Sequence, residues 1–208
     1  MLNLYITNLK KLQDKDTVDN ILMNISSFRK EKYDSFNNDT IKLEILAASY
    51  LIDEYLKTIG LREKNMLYKL TDRGKPYFQN EYSIKFSISH SKDIVGVAFS
   101  DREVGFDVQV VKDISDKVYN RVLSDNEKND VFSAIGANEK LMRFFKYWVM
   151  KEAILKRDGI GLKSDMKNVC DDYGIVGILD DKNVLFENDV YYYCINNGFD
   201  KKFTINIK

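Results

Sequence analysis

Val104-Gly105-Phe106-Asp107-Val108-Gln109-Val110 stands at the middle of the 208-residue chain and alternates in the period of a β-strand. Outward from it, one order of elements is legible on both sides. Before it, residues 2–8 (LNLYITN) read as a strand, and Val18, Ile21, Leu22, Ile25 and Phe28 follow helical spacing from Thr17 onward. A second helix is expected over about 40–57, where Ile41, Ile45, Ala48, Ile52 and Leu56 form a stripe free of Gly and Pro. Strands are expected at 67–70, 85–89 and 94–99. After it, Ser124-Asp125-Asn126-Glu127 has the Ser-x-x-Glu form of a capping box and opens a helix. A longer helix follows over about 138–157, with Leu141, Phe144, Phe145, Trp148 and Val149 as its apolar stripe and basic residues before Gly159. Segments 173–179, 184–187, 190–195 and 202–207 then read as a β meander.

Strand, helices and strands thus occur twice. This implies an α+β chain of two similar halves, 1–103 and 104–208, each with helices packed on a small, mainly antiparallel sheet. No Ser/Gly-rich linker divides them, so they are expected to form one unit, with the cleft between them as the natural ligand site.

Composition narrows the function. Lys plus Arg and Asp plus Glu both number 32, so no global field favours nucleic acid or acidic lipid, and an anion site must be a local cluster. No apolar run reaches the roughly 18 residues of a membrane span, and MLNLYITNLKKLQDKD lacks a signal-peptide pattern, so a cytoplasmic protein is expected. Cys170 and Cys194 are too few and too far apart for a disulfide framework or a CxxC zinc site, and a single histidine, His90, excludes multi-histidine metal sites. GxSxG, P-loop and GxGxxG patterns are absent, which leaves serine-hydrolase, NTPase and dinucleotide readings unsupported.

Four features carry candidate chemistry, each with a plainer alternative. Phe86-Ser87-Ile88-Ser89-His90-Ser91 runs an alternating strand into the histidine, whose flanking donors suit a phosphate; it also reads as a histidine bonded at a strand end. In the central strand Asp107 and Gln109 share a face opposite Phe106 and Val108. A carboxylate there suits a hard cation such as Mg²⁺, or simply faces water. Trp148, Glu152 and Lys156 stand four apart on one helix face, as a metal ligand or base with a phosphate partner, or as a surface Glu–Lys pair. Arg29, Lys30, Lys32, Lys42 and the Gly74-Lys75-Pro76 turn offer cations that are otherwise ordinary solvated side chains.

Taken in order, Gly74-Lys75-Pro76, Ser89-His90-Ser91, Gly105-Phe106-Asp107-Val108-Gln109 and Trp148-Val149-Met150-Lys151-Glu152-Ala153-Ile154-Leu155-Lys156 resemble the 4′-phosphopantetheinyl transferases of the surfactin-synthetase-activating type. The resemblance implies a pseudo-twofold α+β fold. It also implies Mg²⁺-dependent transfer of 4′-phosphopantetheine from coenzyme A to a serine of an apo acyl or peptidyl carrier protein, releasing adenosine 3′,5′-bisphosphate. On the same basis the first half holds coenzyme A and the second the metal and catalytic groups. Asp107 and Glu152 would bind Mg²⁺, with Glu152 also the base, and Lys156 would stabilise the leaving phosphate. His90, also a catalytic candidate, would with Ser89 and Lys75 hold the nucleotide and 3′-phosphate end, and Arg29 and Lys32, ahead of Phe36, resemble 3′-phosphate contacts, with Lys42 a weaker candidate.

Two positions depart from the family pattern. Gln109 stands where many members have a third acid, and Ser87 where Asn is usual, so two carboxylates with an amide or water completing the metal shell are expected. Competing readings are a coenzyme A or carrier-binding module without turnover, and a Mg²⁺-dependent phosphodiesterase of small nucleotides. The carrier surface is expected on segments between 110 and 170. The internal repeat predicts a monomer.

Overall fold

The computed structural model describes residues 2–79, 83–160, 166–169, 174–179, 189–198 and 202–208. The first half begins with β1 (Asn3–Asn8) and three helices, α1 (Lys15–Asn24), α2 (Ser27–Asp34) and α3 (Asp39–Lys57). It continues through β2 (Tyr68–Leu70), β3 (Pro76–Phe78), β4 (Lys85–Ser91) and β5 (Ile94–Ser100). The second half runs β6 (Gly105–Val110), α4 (Asp116–Val122), α5 (Asp125–Phe132), α6 (Ala137–Arg157), β7 (Ile175–Leu179), β8 (Tyr191–Asn196) and β9 (Thr204–Ile207). Strand order is β4-β5-β1-β9 in one large sheet and β7-β8-β6 in the other, with β2 and β3 forming a separate pair. In each case the strand that opens the half pairs antiparallel with the last strand of a later antiparallel pair. The fold is α+β, with the same strand topology on both sides of residue 104.

Burial shows why. On β1, Tyr5 points into a core with Leu51, Ile52 and Leu56 of α3, while Leu4 and Ile6 point the other way, against Phe106, Val108 and Ile195 of the second sheet. Both sheets are therefore buried on two faces, and α6 covers the outer face of the second with Phe144, Val149 and Ala153. Helices, sheet, sheet and helices form four layers.

Three local outcomes differ from the sequence reading. The helical spacing from Thr17 does not continue through Phe28; α1 stops at Asn24, and Ser26 restarts the chain as the N-cap of α2. Its backbone N–H and hydroxyl both donate to the buried carboxylate of Glu63, at 2.5 and 2.7 Å. A buried acid requires such donors, and Ser26 presents its N–H only by leaving the helical conformation. The C-terminal meander is also corrected. β8 already has β6 on one edge and β7 on the other, so β9 crosses to the first sheet and pairs in parallel with β1, Asn3 against Thr204. Third, α4 is a helix that the apolar pattern does not announce. The capping box at Ser124 and Glu127 forms as read. Cys170 and the 184–187 segment lie outside the described residues.

Candidate active site

The site grows from the contact between β6 and α6. A Cβ built on Gly105 would overlap the carbonyl oxygen of Ala153 and the backbone nitrogen of Arg157. Only glycine lets α6 cross β6 backbone to backbone. That approach brings Glu152 and Lys156, which flank Ala153 on the helix, to Asp107 two residues along the strand.

Asp107 is buried, and its Oδ1 accepts from the Ser89 hydroxyl at 2.7 Å and from Lys156 Nζ at 2.7 Å. Lys156 also donates to Ser89 Oγ at 2.8 Å. Lys156 therefore turns across to the strand instead of pairing along the helix with Glu152. Glu152 is only 3% exposed, and its Oε1 is buried with no hydrogen-bond partner. Burial first, and then the neighbouring Asp107 charge, push its carboxyl up to about 7, against the pull of Lys156 and Arg121. One turn earlier on the helix, the indole Nε1 of Trp148 is likewise buried without a partner.

This arrangement suits a hard divalent cation. Two carboxylates lie together out of water, one neutralised by Lys156 and the other with an orphaned oxygen, and an oxygen-seeking ion would resolve both. Among the described residues no three His, Cys, Asp or Glu side chains converge on one point, so the described residues would give such an ion two carboxylates. Gln109, as oriented, donates from Nε2 to Asp107 Oδ2 at 3.3 Å and accepts from the Ser91 hydroxyl at 3.4 Å. Its amide links Asp107 to Ser91, and its oxygen would have to turn to reach a metal.

A feature hidden from the sequence reading holds the site together. Ser87, Ser89 and Ser91 recur on one face of β4, and each hydroxyl accepts from a backbone N–H of β6, those of Phe106, Val108 and Val110, at 3.0, 3.3 and 3.0 Å. Side chains here take the place of a neighbouring strand, tying the two halves along the edge of β6. Ser89, read as a nucleotide contact, has its hydrogen bonds taken up by Asp107, Lys156 and Val108. The period-two serines are the signal that could have revealed this seam.

The remaining candidates sit apart from this cluster. His90 alternates with Ser89 and so faces α3, where its Nδ1 lies 3.1 Å from Glu44 Oε1; Glu44 was not singled out by the sequence. Arg29 is 3% exposed beneath α3, donating to Ser49 Oγ at 2.6 Å and to the Ile45 carbonyl at 3.1 Å. The expectation of a surface cation is corrected there: residues from α3 satisfy the guanidinium in the core. Lys32 reaches solvent, and crowding, with the Arg29 charge beside it, lowers its pKa. Lys42 lies over the Tyr33 ring, 5.0 Å from its centroid.

The Gly74-Lys75-Pro76 turn closes the β2–β3 pair, with Gly74 at φ +83°, a conformation that favours glycine. Lys75 Nζ donates to Glu103 Oε2, the Val104 carbonyl and the Arg157 carbonyl at 3.2, 3.2 and 3.0 Å, and desolvation lowers its pKa. It thus caps the C-terminus of α6 from the other half. A groove of about 370 Å³ opens beside it, lined in part by Thr71, Asp72, Tyr77 and Lys85. Lys151, adjacent to Glu152, is buried on three oxygens, those of Val122, Met166 and Glu127, and locks α5 to α6.

Comparison with known proteins meets this geometry at its centre. The family model "4′-phosphopantetheinyl transferase superfamily" matches residues 103–196, the segment that supplies Asp107, Glu152 and Lys156. The chain is 27% identical to 4′-phosphopantetheinyl transferase gsp of Aneurinibacillus migulanus over 150 residues, 72% of this chain and 62% of the relative. It is 28% identical to ffp of Bacillus subtilis over 153 residues, 71% and 66% of the two chains. It is 29% identical to Sfp of Bacillus subtilis strain 168 over 123 residues, 59% and 53%. The chain thus spans less than two thirds of the length of these relatives. Residues 103–196, which hold both buried carboxylates and the lysine between the halves, are thus the part of the chain that is similar to the 4′-phosphopantetheinyl transferase superfamily.

Proposed function

We propose that this chain transfers the 4′-phosphopantetheine group of coenzyme A to a serine of an apo acyl or peptidyl carrier protein, releasing adenosine 3′,5′-bisphosphate. The observation that carries the reading is the buried Asp107–Glu152 pair, with Lys156 on one carboxylate and an orphaned oxygen on the other. The relatives named above are transferases of this kind, and the family match covers these residues.

Asp107 and Glu152 would hold Mg²⁺, which when bound supplies neutralisation of the pyrophosphate oxygens. Glu152, with its carboxyl near 7, is poised to take the proton of the incoming serine hydroxyl. The serine oxygen forms a bond to the phosphorus that carries pantetheine, and the bond from that phosphorus to the bridging oxygen breaks. Lys156 stabilises the charge that develops on the departing bisphosphate. Ser89 positions Asp107 and Lys156. Lys75 and its groove, His90, and Lys32 over the fixed charge of Arg29 form the nucleotide end. The halves 1–103 and 104–208 divide these roles between coenzyme A and metal.

Among the described residues no helix is long and apolar enough to cross a membrane. We read the protein as a cytoplasmic monomer without nucleic-acid partners, its carrier docking on segments between 110 and 170.

The test is the intact mass of an apo carrier protein incubated with this protein, coenzyme A and Mg²⁺, with EDTA and variants alongside. A phosphopantetheine adduct is expected that EDTA removes. Asp107→Ala and Glu152→Ala are expected to abolish it, while Gln109→Glu shifts metal preference only modestly. Near-normal transfer by either alanine variant would sink the metal assignment. Coenzyme A binding with no adduct on any carrier type would favour a non-catalytic binding module, the reading that Gln109 in place of an acid suggests.

A further inference from the structure

Lys156 sits on one of the two carboxylates that would hold a metal. Its ammonium lies 2.7 Å from Asp107 Oδ1 and 2.8 Å from Ser89 Oγ, so the charge of Asp107 is already neutralised without any ion. Asp107 Oδ1 accepts from both Ser89 and Lys156, and Oδ2 takes Gln109. Both oxygens of this carboxylate thus have protein donors. Glu152, one turn before Lys156 on the same helix, has no such partner at Oε1.

We propose that Lys156 is the resident counter-ion of Asp107, and that it keeps a divalent cation out of the site until an anionic phosphate draws the ammonium away. This deepens the transferase reading and rests on it. The physical argument is competition. An ammonium and a divalent ion cannot both take Asp107 Oδ1 at contact distance without strong repulsion in a site shielded from water. Lys156 is half-buried on a flexible stem at the helix end, so its head can leave Asp107 without disturbing the backbone. A pyrophosphate offers it a new partner, and Asp107 then becomes free. Phosphate and metal therefore bind together, and each tightens the other by the same factor. The metal alone binds weakly.

The experiment measures Mn²⁺ binding by electron paramagnetic resonance, with and without coenzyme A and with no carrier protein, so that no turnover occurs. Trp148, the only tryptophan and one helical turn from Glu152, gives a second readout by quenching. Lys156→Met is expected to bind Mn²⁺ alone about tenfold or more tightly than the unaltered protein, and to lose most of the enhancement by coenzyme A. Lys156→Arg, which keeps the charge, is expected to remain weak for Mn²⁺ alone. Unchanged or weaker Mn²⁺ binding by Lys156→Met, with the unaltered protein still binding Mn²⁺, would overturn the counter-ion role and leave the metal site standing. Absence of Mn²⁺ binding in every protein, with coenzyme A present, would remove both.

Discussion

Glu152 is the residue whose surroundings are least balanced. Its carboxyl is raised from an ordinary value of 4.5 to about 7, so between those limits the folded protein holds a proton that the unfolded chain releases. Stability of the metal-free protein is therefore expected to fall as pH rises from about 4.5 to 7 and to level off above. The loss is on the order of 3 kcal/mol. Glu152→Gln removes the buried charge, and it should flatten that slope and leave the protein more stable at pH 8. Urea melts in EDTA across pH 5–8 measure this; parallel slopes for the two proteins would show that Glu152 is ionised without cost. The trio Asp107, Glu152 and Lys156 was legible because period two on a strand and period four on a helix place side chains before any contact is known. The surroundings of Ser89, Arg29 and Lys75 were not, since their partners come from Asp107, Ser49 and Arg157, 18, 20 and 82 residues away.

Among the elements, α6 does most to shape the site, and it does so through Gly105. Gly105→Ala would force the helix off the strand because the new methyl meets backbone, which cannot rotate aside. The expected destabilisation is about 3 kcal/mol or more, with activity falling further than stability as Glu152 and Lys156 withdraw from Asp107. Denaturant unfolding beside the carrier-mass assay checks both, and full transfer by this variant would show that α6 tolerates displacement. Helix boundaries were legible where local chemistry sets them, as at the Ser124–Glu127 capping box. The break between α1 and α2 was not, because the acid that demands it, Glu63, lies 37 residues from Ser26.

For the whole molecule, the repeated element order was enough to foresee two α+β halves, since that order is a property of the chain. What joins them was not foreseen. The serine seam between β4 and β6 becomes meaningful only once the two strands are neighbours, and β9 leaves its own half because both edges of β8 are taken. The last described strand thus closes against the first, with Thr204 and Lys208 donating to the carbonyls of Leu2 and Ile6 at 3.2 and 2.9 Å. During synthesis the outer edge of β1 therefore waits, unpaired, while all the residues between are made. Chains ending at residue 201 should keep that edge open and associate through it. Light scattering on refolding would show this as aggregation, relieved by a peptide of residues 202–208. Birth order thus leaves the nascent protein vulnerable at this edge until residues 204–207 have been made.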